Sequence, residues 1–233
     1  MFIENLRMKL GLNDEYDIQC GYEAGCLGYS LYNQLTAAGV KCVILAPTTM
    51  LTPQGVRIKT DMRDAYMIAQ CLSYGGYHAV YIPTEADDSV KEYLRMRNDH
   101  KLALKKIKQQ INAFCIRHGF CYDGTKWTLA HLNWLKKLEI TNELYRETLD
   151  EYMASYEEQE AKIERYDKRI EEIAEQTKYY DKVKKMKCFL GIKTHTALSL
   201  IVETGEFERF AKGNQYASYL GLAPGENSSS DSI

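Results

Sequence analysis

The chain has 233 residues and a mass of 26.9 kDa, room for one large domain or two small ones. Thirty Lys+Arg against 32 Asp+Glu leave a net charge of −2, so the chain as a whole does not advertise a nucleic-acid binder and any basic surface must be local. No apolar run approaches the ~20 residues that span a bilayer. An acid at Glu4 argues against a signal peptide, and seven cysteines without close pairs exclude a disulfide scaffold and point to a reducing cytoplasm.

Residues 1–80 alternate between helical and strand patterns. Phe2 to Leu10 has apolar residues near helical spacing. Tyr16 to Tyr22 is strand-like and runs into Glu23-Ala24-Gly25. Leu27, Leu31 and Leu35 repeat every four residues, which predicts a helix ending near Gly39. Val40 to Leu45 suits a buried strand closed by Pro47, and Thr48 to Lys59 is a polar loop. A helix is expected over Asp61 to Leu72, ended by Gly75-Gly76, and Val80 to Pro83 is a final short strand. Strands alternating with helices imply a parallel α/β sheet.

From Asp87 the pattern becomes helical throughout. Residues 88–117 hold neither Pro nor Gly and predict one long helix. Its 91–118 stretch carries eight Lys/Arg against Glu92 and Asp99, a local net of +6. Residues 119–141 suit a turn and a short helix. Residues 143–180 predict a second long helix, with Leu149, Tyr156, Ile163 and Ile170 seven apart and Tyr166, Ile173 and Tyr180 at the alternating positions. This is a coiled-coil seam, antiparallel or dimeric, weakened at Gln159 and Thr177. The segment 143–176 has twelve acids and five bases, a net of −7. It lies either beside the basic helix or away from DNA. Residues 184–224 form a compact helical unit, and the tail is polar.

Several groups could carry chemistry. Glu23 follows a strand, where α/β folds place ligand-binding groups. Asp61 and Asp64, three apart on one helix, point the same way. Adjacent carboxylates repel unless a cation such as Mg²⁺ sits between them, although an acid in a helix's first turn also needs no ligand. The basic helix, with Lys101, Lys105 and Lys108, suits a polyanion or is simply a solvated face. Cys115-x-x-His118-x-x-Cys121 lacks the usual zinc spacing, and buried free thiols are the better reading. The turn Leu190-Gly191-Ile192-Lys193 before a helix can face a DNA phosphate, or can be plain packing. Ser228, Ser229 and Ser230 have no base beside them, and by composition alone they are a flexible tail. His78, His100, His131 and His195 have no partner spacing and are taken as structural.

Together, Tyr22-Glu23-Ala24-Gly25, Val43-Ile44-Leu45-Ala46-Pro47 and Lys59-Thr60-Asp61-Met62-Arg63-Asp64-Ala65 resemble the DEDD transposases of bacterial insertion sequences, relatives of the Piv and MooV DNA invertases. Ala79 to Pro83, Arg117-His118-Gly119, Gly191-Ile192, Thr196-Ala197, Glu203-x-Gly205, Arg209-Phe210 and Tyr219 to Pro224 extend the likeness over nearly the whole chain. The resemblance implies an α/β plus all-α architecture. A partial RuvC-like, RNase H-type domain would span 1–86, a helical coiled-coil linker 87–183, and the start of a C-terminal serine transposase domain 184–233.

It further implies DNA as substrate and Mg²⁺ held by Glu23, Asp61 and Asp64, matching the second, third and fourth of four family acids. Ser229, with Ser228 next, would be the nucleophile, giving a serine–DNA phosphoester. Lys101, Lys105, Lys108 and Lys193 would contact nucleic acid. Family members act as homodimers or homotetramers, and some use a structured guide RNA. The first family acid lies on a strand upstream of the opening helix, and the family continues past the serine. The expectation is therefore an inactive fragment, truncated at both ends, with exposed sheet edges. Two rivals are a non-catalytic nucleic-acid-binding coiled-coil remnant and a RuvC-like junction nuclease, which would not need Ser229.

Overall fold

The structure, a computed structural model, describes residues 2–11, 18–47, 50 and 60–223. It divides into two compact units, Met1–Ile82 and Pro83–Ile233.

In the first unit, α1 (Phe2–Leu10) is followed by β1 (Gln19–Glu23), α2 (Ser30–Ala37), β2 (Lys41–Leu45) and α3 (Asp61–Tyr74). The two strands pair in parallel, from Gln19↔Lys41 to Glu23↔Leu45, with α2 as the crossover. The turn out of β1 is pinned by Tyr22. Its hydroxyl donates to the Gly28 carbonyl at 2.9 Å and accepts from the Tyr32 N–H at 3.2 Å. Cys26 to Tyr29 are thereby spent on the turn, so α2 begins at Ser30 rather than at Leu27 as the leucine spacing suggested.

A small core gathers Leu45, Met50 and Cys71 with Met67, Ile68, Leu72 and Tyr77. Gly21 lets the leucine ends pack closely: a Cβ at that position would stand 2.9 Å from both Leu45 Cδ1 and Leu72 Cδ1, so those side chains would have to shift. The strand expected at Val80–Pro83 does not form. Ala79 makes one antiparallel bridge to Leu45, with the Val80 N–H on the Ile44 carbonyl and the Ala46 N–H on the His78 carbonyl. Beyond the bridge the chain soon reaches Pro83, which has no N–H to give to a ladder, and the next helix begins at Glu85. The loop expected over 48–59 lies, apart from Met50, outside the described residues, as do residues 12–17 ahead of β1.

The second unit is built on two long helices. α4 (Glu85–Arg117) and α6 (Glu143–Ala174) run antiparallel, as their cross-pairs show: Arg97 meets Asp167, His100 meets Gln159, and Lys108 meets Glu160. The predicted heptad residues Leu149, Tyr156, Ile163 and Ile170 are all buried. They pack within the same chain, so the acidic helix lies beside the basic one. Gln159, a predicted weak point of the seam, is satisfied by His100 Nδ1 at 2.9 Å.

α6 ends at Ala174, short of the predicted 180. The chain then turns so that Tyr179 is buried and its hydroxyl donates to Asp87 at 2.8 Å, while Tyr180 faces outward. A straight continuation would have put Thr177 and Tyr180 on the seam instead. α5 (Leu129–Lys136), α7 (Tyr180–Met186), α8 (Thr194–Thr204), a 3₁₀ turn (Phe207–Arg209) and α9 (Gly213–Tyr219) complete the unit.

Its core has two parts. Leu104, Ile111, Phe114, Leu135, Leu149, Tyr156 and Ile163 form one. Val90, Leu94, Ile170, Ile173, Val183, Ala197, Leu198, Ile201 and Val202 form the other, which fixes α7 and α8 to the helix pair. Residues of the expected linker and of the expected C-terminal domain thus share one core. Among the described residues no helix is long and apolar enough to cross a membrane.

Candidate nucleic-acid interface and acidic residues

The three carboxylates occupy different settings. Glu23 closes β1, opposite Leu45 in the register, and is half-buried. Asp61 and Asp64 stand in the first turn of α3, whose N-cap Thr60 accepts the Arg63 N–H at 3.4 Å. Asp61 is exposed and Asp64 half-buried. The α3 residues that pack in the core are Met67, Ile68, Cys71 and Leu72, all further along the helix. Among the described residues no three His, Cys, Asp or Glu side chains group so as to hold a metal ion. Asp61 and Asp64 share the first turn of α3, and Glu23 stands at the end of β1.

The Cys115/His118/Cys121 trio forms no site either. Cys115 is buried, and burial pushes its thiol up; His118 lies against Phe114 and Tyr145, and Cys121 is exposed. All seven cysteines are free. Ser228 and Ser229 lie outside the described residues.

Four of the eight cations of the basic helix α4 are occupied by its own unit. Buried Lys91 reaches Glu203 at 3.5 Å, and Arg95 bridges Glu92 and Glu203. Arg97 binds Asp167 with two nitrogens, at 2.7 and 3.0 Å. Lys108 pairs with Glu160 at 3.5 Å and lies over the rings of Trp127 and Tyr156 at 5.3 and 5.2 Å. Lys101 and Lys105 are exposed and share a groove with Lys108, but Glu160 and Glu164 line it too.

Two of the histidines, His131 and His195, lie inside the second unit. His131 Nδ1 accepts the Trp127 N–H at 3.1 Å inside a box of Tyr122, Trp127 and Trp134, and burial followed by nearby Lys126 holds it below the ordinary imidazole range. His195 is depressed by burial and then by Arg97, and its Nε2 is buried with no hydrogen-bond partner.

The sequence reasoning singled out Lys193 but missed its surroundings. Between Lys182 and Lys193 stand five lysines (Lys182, Lys184, Lys185, Lys187 and Lys193) and no acid. All five are exposed, and none makes an ion pair within 4 Å among the described residues. The signal was present in the sequence as a run of one sign without an opposing charge.

Comparison with known proteins fits this picture. Residues 184–233 match the family described as Transposase IS116/IS110/IS902 family. This segment includes α8, α9 and the lysine-flanked turn before α8 at its start. Over most of its length the chain is similar to transposases of insertion sequences. It is 35% identical over 216 residues to a transposase for insertion sequence element IS1533 from Leptospira borgpetersenii, covering 91% of this chain and 61% of that protein. It is 30% identical over 211 residues to y4qE of Sinorhizobium fredii (strain NBRC 101917 / NGR234), a protein named for a transposase, covering 90% and 51%. A transposase for insertion sequence element IS1111A from Coxiella burnetii (strain RSA 493 / Nine Mile phase I) is 24% identical over 201 residues, covering 78% and 52%. The chain thus spans between about half and three fifths of the length of the curated relatives it matches.

Proposed function

We propose that this chain acts on DNA as part of a transposase of an insertion sequence, cutting and rejoining strands through a serine nucleophile. The observation that carries the reading is the likeness to insertion-sequence transposases over 91% of the chain, across both units. In this reading Ser229 Oγ attacks a DNA phosphorus. An Oγ–P bond forms as a P–O bond of the strand breaks, and the released deoxyribose oxygen takes up the serine proton. Reversal of the step reseals the strand without ATP, because the phosphoester conserves the energy of the broken bond.

Mg²⁺ belongs to the proposal through Glu23, Asp61 and Asp64 by their resemblance to the family's acids. They stand at the end of β1 and in the first turn of α3. The RuvC-like character of the first unit, a coiled-coil role for α4 and α6, a structured guide RNA and a homodimeric or homotetrameric state are parts of the same proposal.

The test is a covalent trap. Labelled DNA from an element end is incubated with the chain, with and without RNA from the same locus, and run on a denaturing gel. A protein–DNA adduct that Ser229→Ala abolishes and Ser228→Ala retains is the expected result. Cleavage that survives Ser229→Ala is hydrolytic and overturns the serine step in favour of a junction nuclease. The exposed lysines of residues 182–193 also suit a second reading, a nucleic-acid-binding protein without catalysis. That reading predicts DNA binding with no adduct under any metal.

A further inference from the structure

The hairpin between α7 and α8 has a construction that packing does not explain. Its base is held firmly: Val183 and Thr194 are buried, and Met186 and Ile192 pack on the core shared with α4 and α6. Its tip is closed by backbone bonds, from the Phe189 N–H to the Met186 carbonyl at 3.1 Å and from the Ile192 N–H to the Phe189 carbonyl at 3.2 Å. Gly191, at φ 86°, makes the reversal that a side chain would strain. On this rigid support Phe189 is 65% exposed and Leu190 fully exposed, two large apolar side chains held out from the surface. Such exposure is costly in water and has no structural use here.

The charges around the tip say what covers it. Lys182 and Lys185 are three apart and share one side of α7, and Lys193 stands on the far arm of the hairpin. Lys184 and Lys187 lie on another side, where they share a groove with Glu171 and Glu175. Two bulky apolar groups between cationic arms fit a polyanion that also offers an apolar interior reachable from its surface. Duplex DNA is such a partner. Its phosphates take the lysines, and an apolar wedge enters between stacked base pairs, which kinks the duplex.

We propose that the α7–α8 hairpin docks on duplex DNA, with Lys182, Lys185 and Lys193 on the phosphates and Phe189–Leu190 inserted at a base step. The proposal rests on the transposase reading and gives it a DNA-deforming contact.

The test uses the full chain and a fluorescein-labelled 20-base-pair duplex, read by anisotropy across a salt series. A matched duplex with 2-aminopurine at the central step reports unstacking. The wild type is expected to raise 2-aminopurine fluorescence on binding. F189A/L190A should lose that rise while still binding, and because both side chains are exposed its thermal midpoint should not fall. K182Q/K185Q/K193Q should lower the slope of log affinity against log salt by about three.

An unchanged slope in the lysine variant overturns the proposal, as does a 2-aminopurine signal that survives F189A/L190A. Equal or tighter binding to double-stranded RNA, or to phosphatidylserine vesicles, assigns the tip to another partner and overturns it. So does a loss of self-association in F189A/L190A without any change on DNA. Failure here is separable from failure of the transposase reading. A serine-linked adduct that forms normally in both hairpin variants sinks the hairpin alone. Hairpin-dependent binding with no Ser229-dependent adduct sinks the chemistry alone.

Discussion

Two stretches of the second unit are strongly basic in sequence, and the structure uses them in opposite ways. α4 carries a local net of +6, yet Lys91, Arg95, Arg97 and Lys108 are turned onto Glu203, Glu92, Asp167 and Glu160. The α7–α8 hairpin has fewer positive charges, and none of its five lysines is ion-paired among the described residues. Charge summed along a helix therefore measures what the protein can neutralise internally as much as what it offers to a ligand. Among the described residues the hairpin is a basic stretch whose lysines remain outside ion pairs.

That contrast predicts that α4's cations govern stability while the hairpin's govern binding. The largest effect is expected at Arg97. Its side chain is nearly buried, 14% exposed, and makes two short bonds to Asp167 close to His195. A surface pair contributes under ~1 kcal/mol and breaking a fully buried one costs ~3–5. Arg97→Ala falls between them at about 2 kcal/mol, since Asp167 keeps partial access to water. The thermal midpoint should drop by roughly 6 °C in calorimetry. The DNA salt slope should stay where it is; a change there would show that Arg97 faces a phosphate rather than Asp167.

A smaller and pH-dependent effect is expected at Asp87, which ties the start of α4 to the α6–α7 turn. Burial alone would raise its carboxyl. Hydrogen bonds from Lys178, Thr84 and Tyr179 outweigh burial and hold it below the usual carboxylate range. A carboxylate depressed in the folded state stabilises it at any pH above its unfolded pKa, near ~4, and the gain is lost as pH falls through the lower folded value. Asp87→Asn should thus cost about 1.5 kcal/mol at pH 7 in urea unfolding, and the gap to wild type should close below about pH 4. A gap that persists in acid would mean that shape, not charge, holds this joint.

How far the sequence foretold these outcomes depended on the range of the interactions involved. The 3.6-residue and seven-residue periods of 88–117 and 143–174 are local properties, and the two long helices follow from them directly. The end of α6 was not legible, because it is set by Tyr179 reaching Asp87, 92 positions away in the chain. Val80–Pro83 has strand composition, but a strand needs a neighbour to pair with along its length, and only an isolated bridge forms, between Leu45 and Ala79. Of the acidic residues, the i,i+3 geometry of Asp61 and Asp64 was readable from spacing. Their relation to Glu23 was not, because it depends on how α3 lies on a two-stranded sheet. The hairpin's lysines were visible as a run, but their freedom from ion pairs only emerges once Asp167, Glu160 and Glu203 have found partners elsewhere.

The smallest predicted effect is the most discriminating. Lys101 and Lys105 are, with Lys106 and Arg117, cations of α4 left exposed, and they are the two that share a groove with Lys108. They sit in a groove whose opposite wall carries Glu160 and Glu164, and a phosphate entering it meets two carboxylates with the two ammonium groups. The net field is therefore weak, and salt screens it further. K101Q/K105Q should change stability by less than ~0.5 kcal/mol, as expected of surface sites without partners. It should lower the DNA salt slope by less than about one, against about three for the hairpin variant. Equal slopes for the two variants would mean that the acids of α6 move aside when DNA binds, and that α4 contributes to the interface after all.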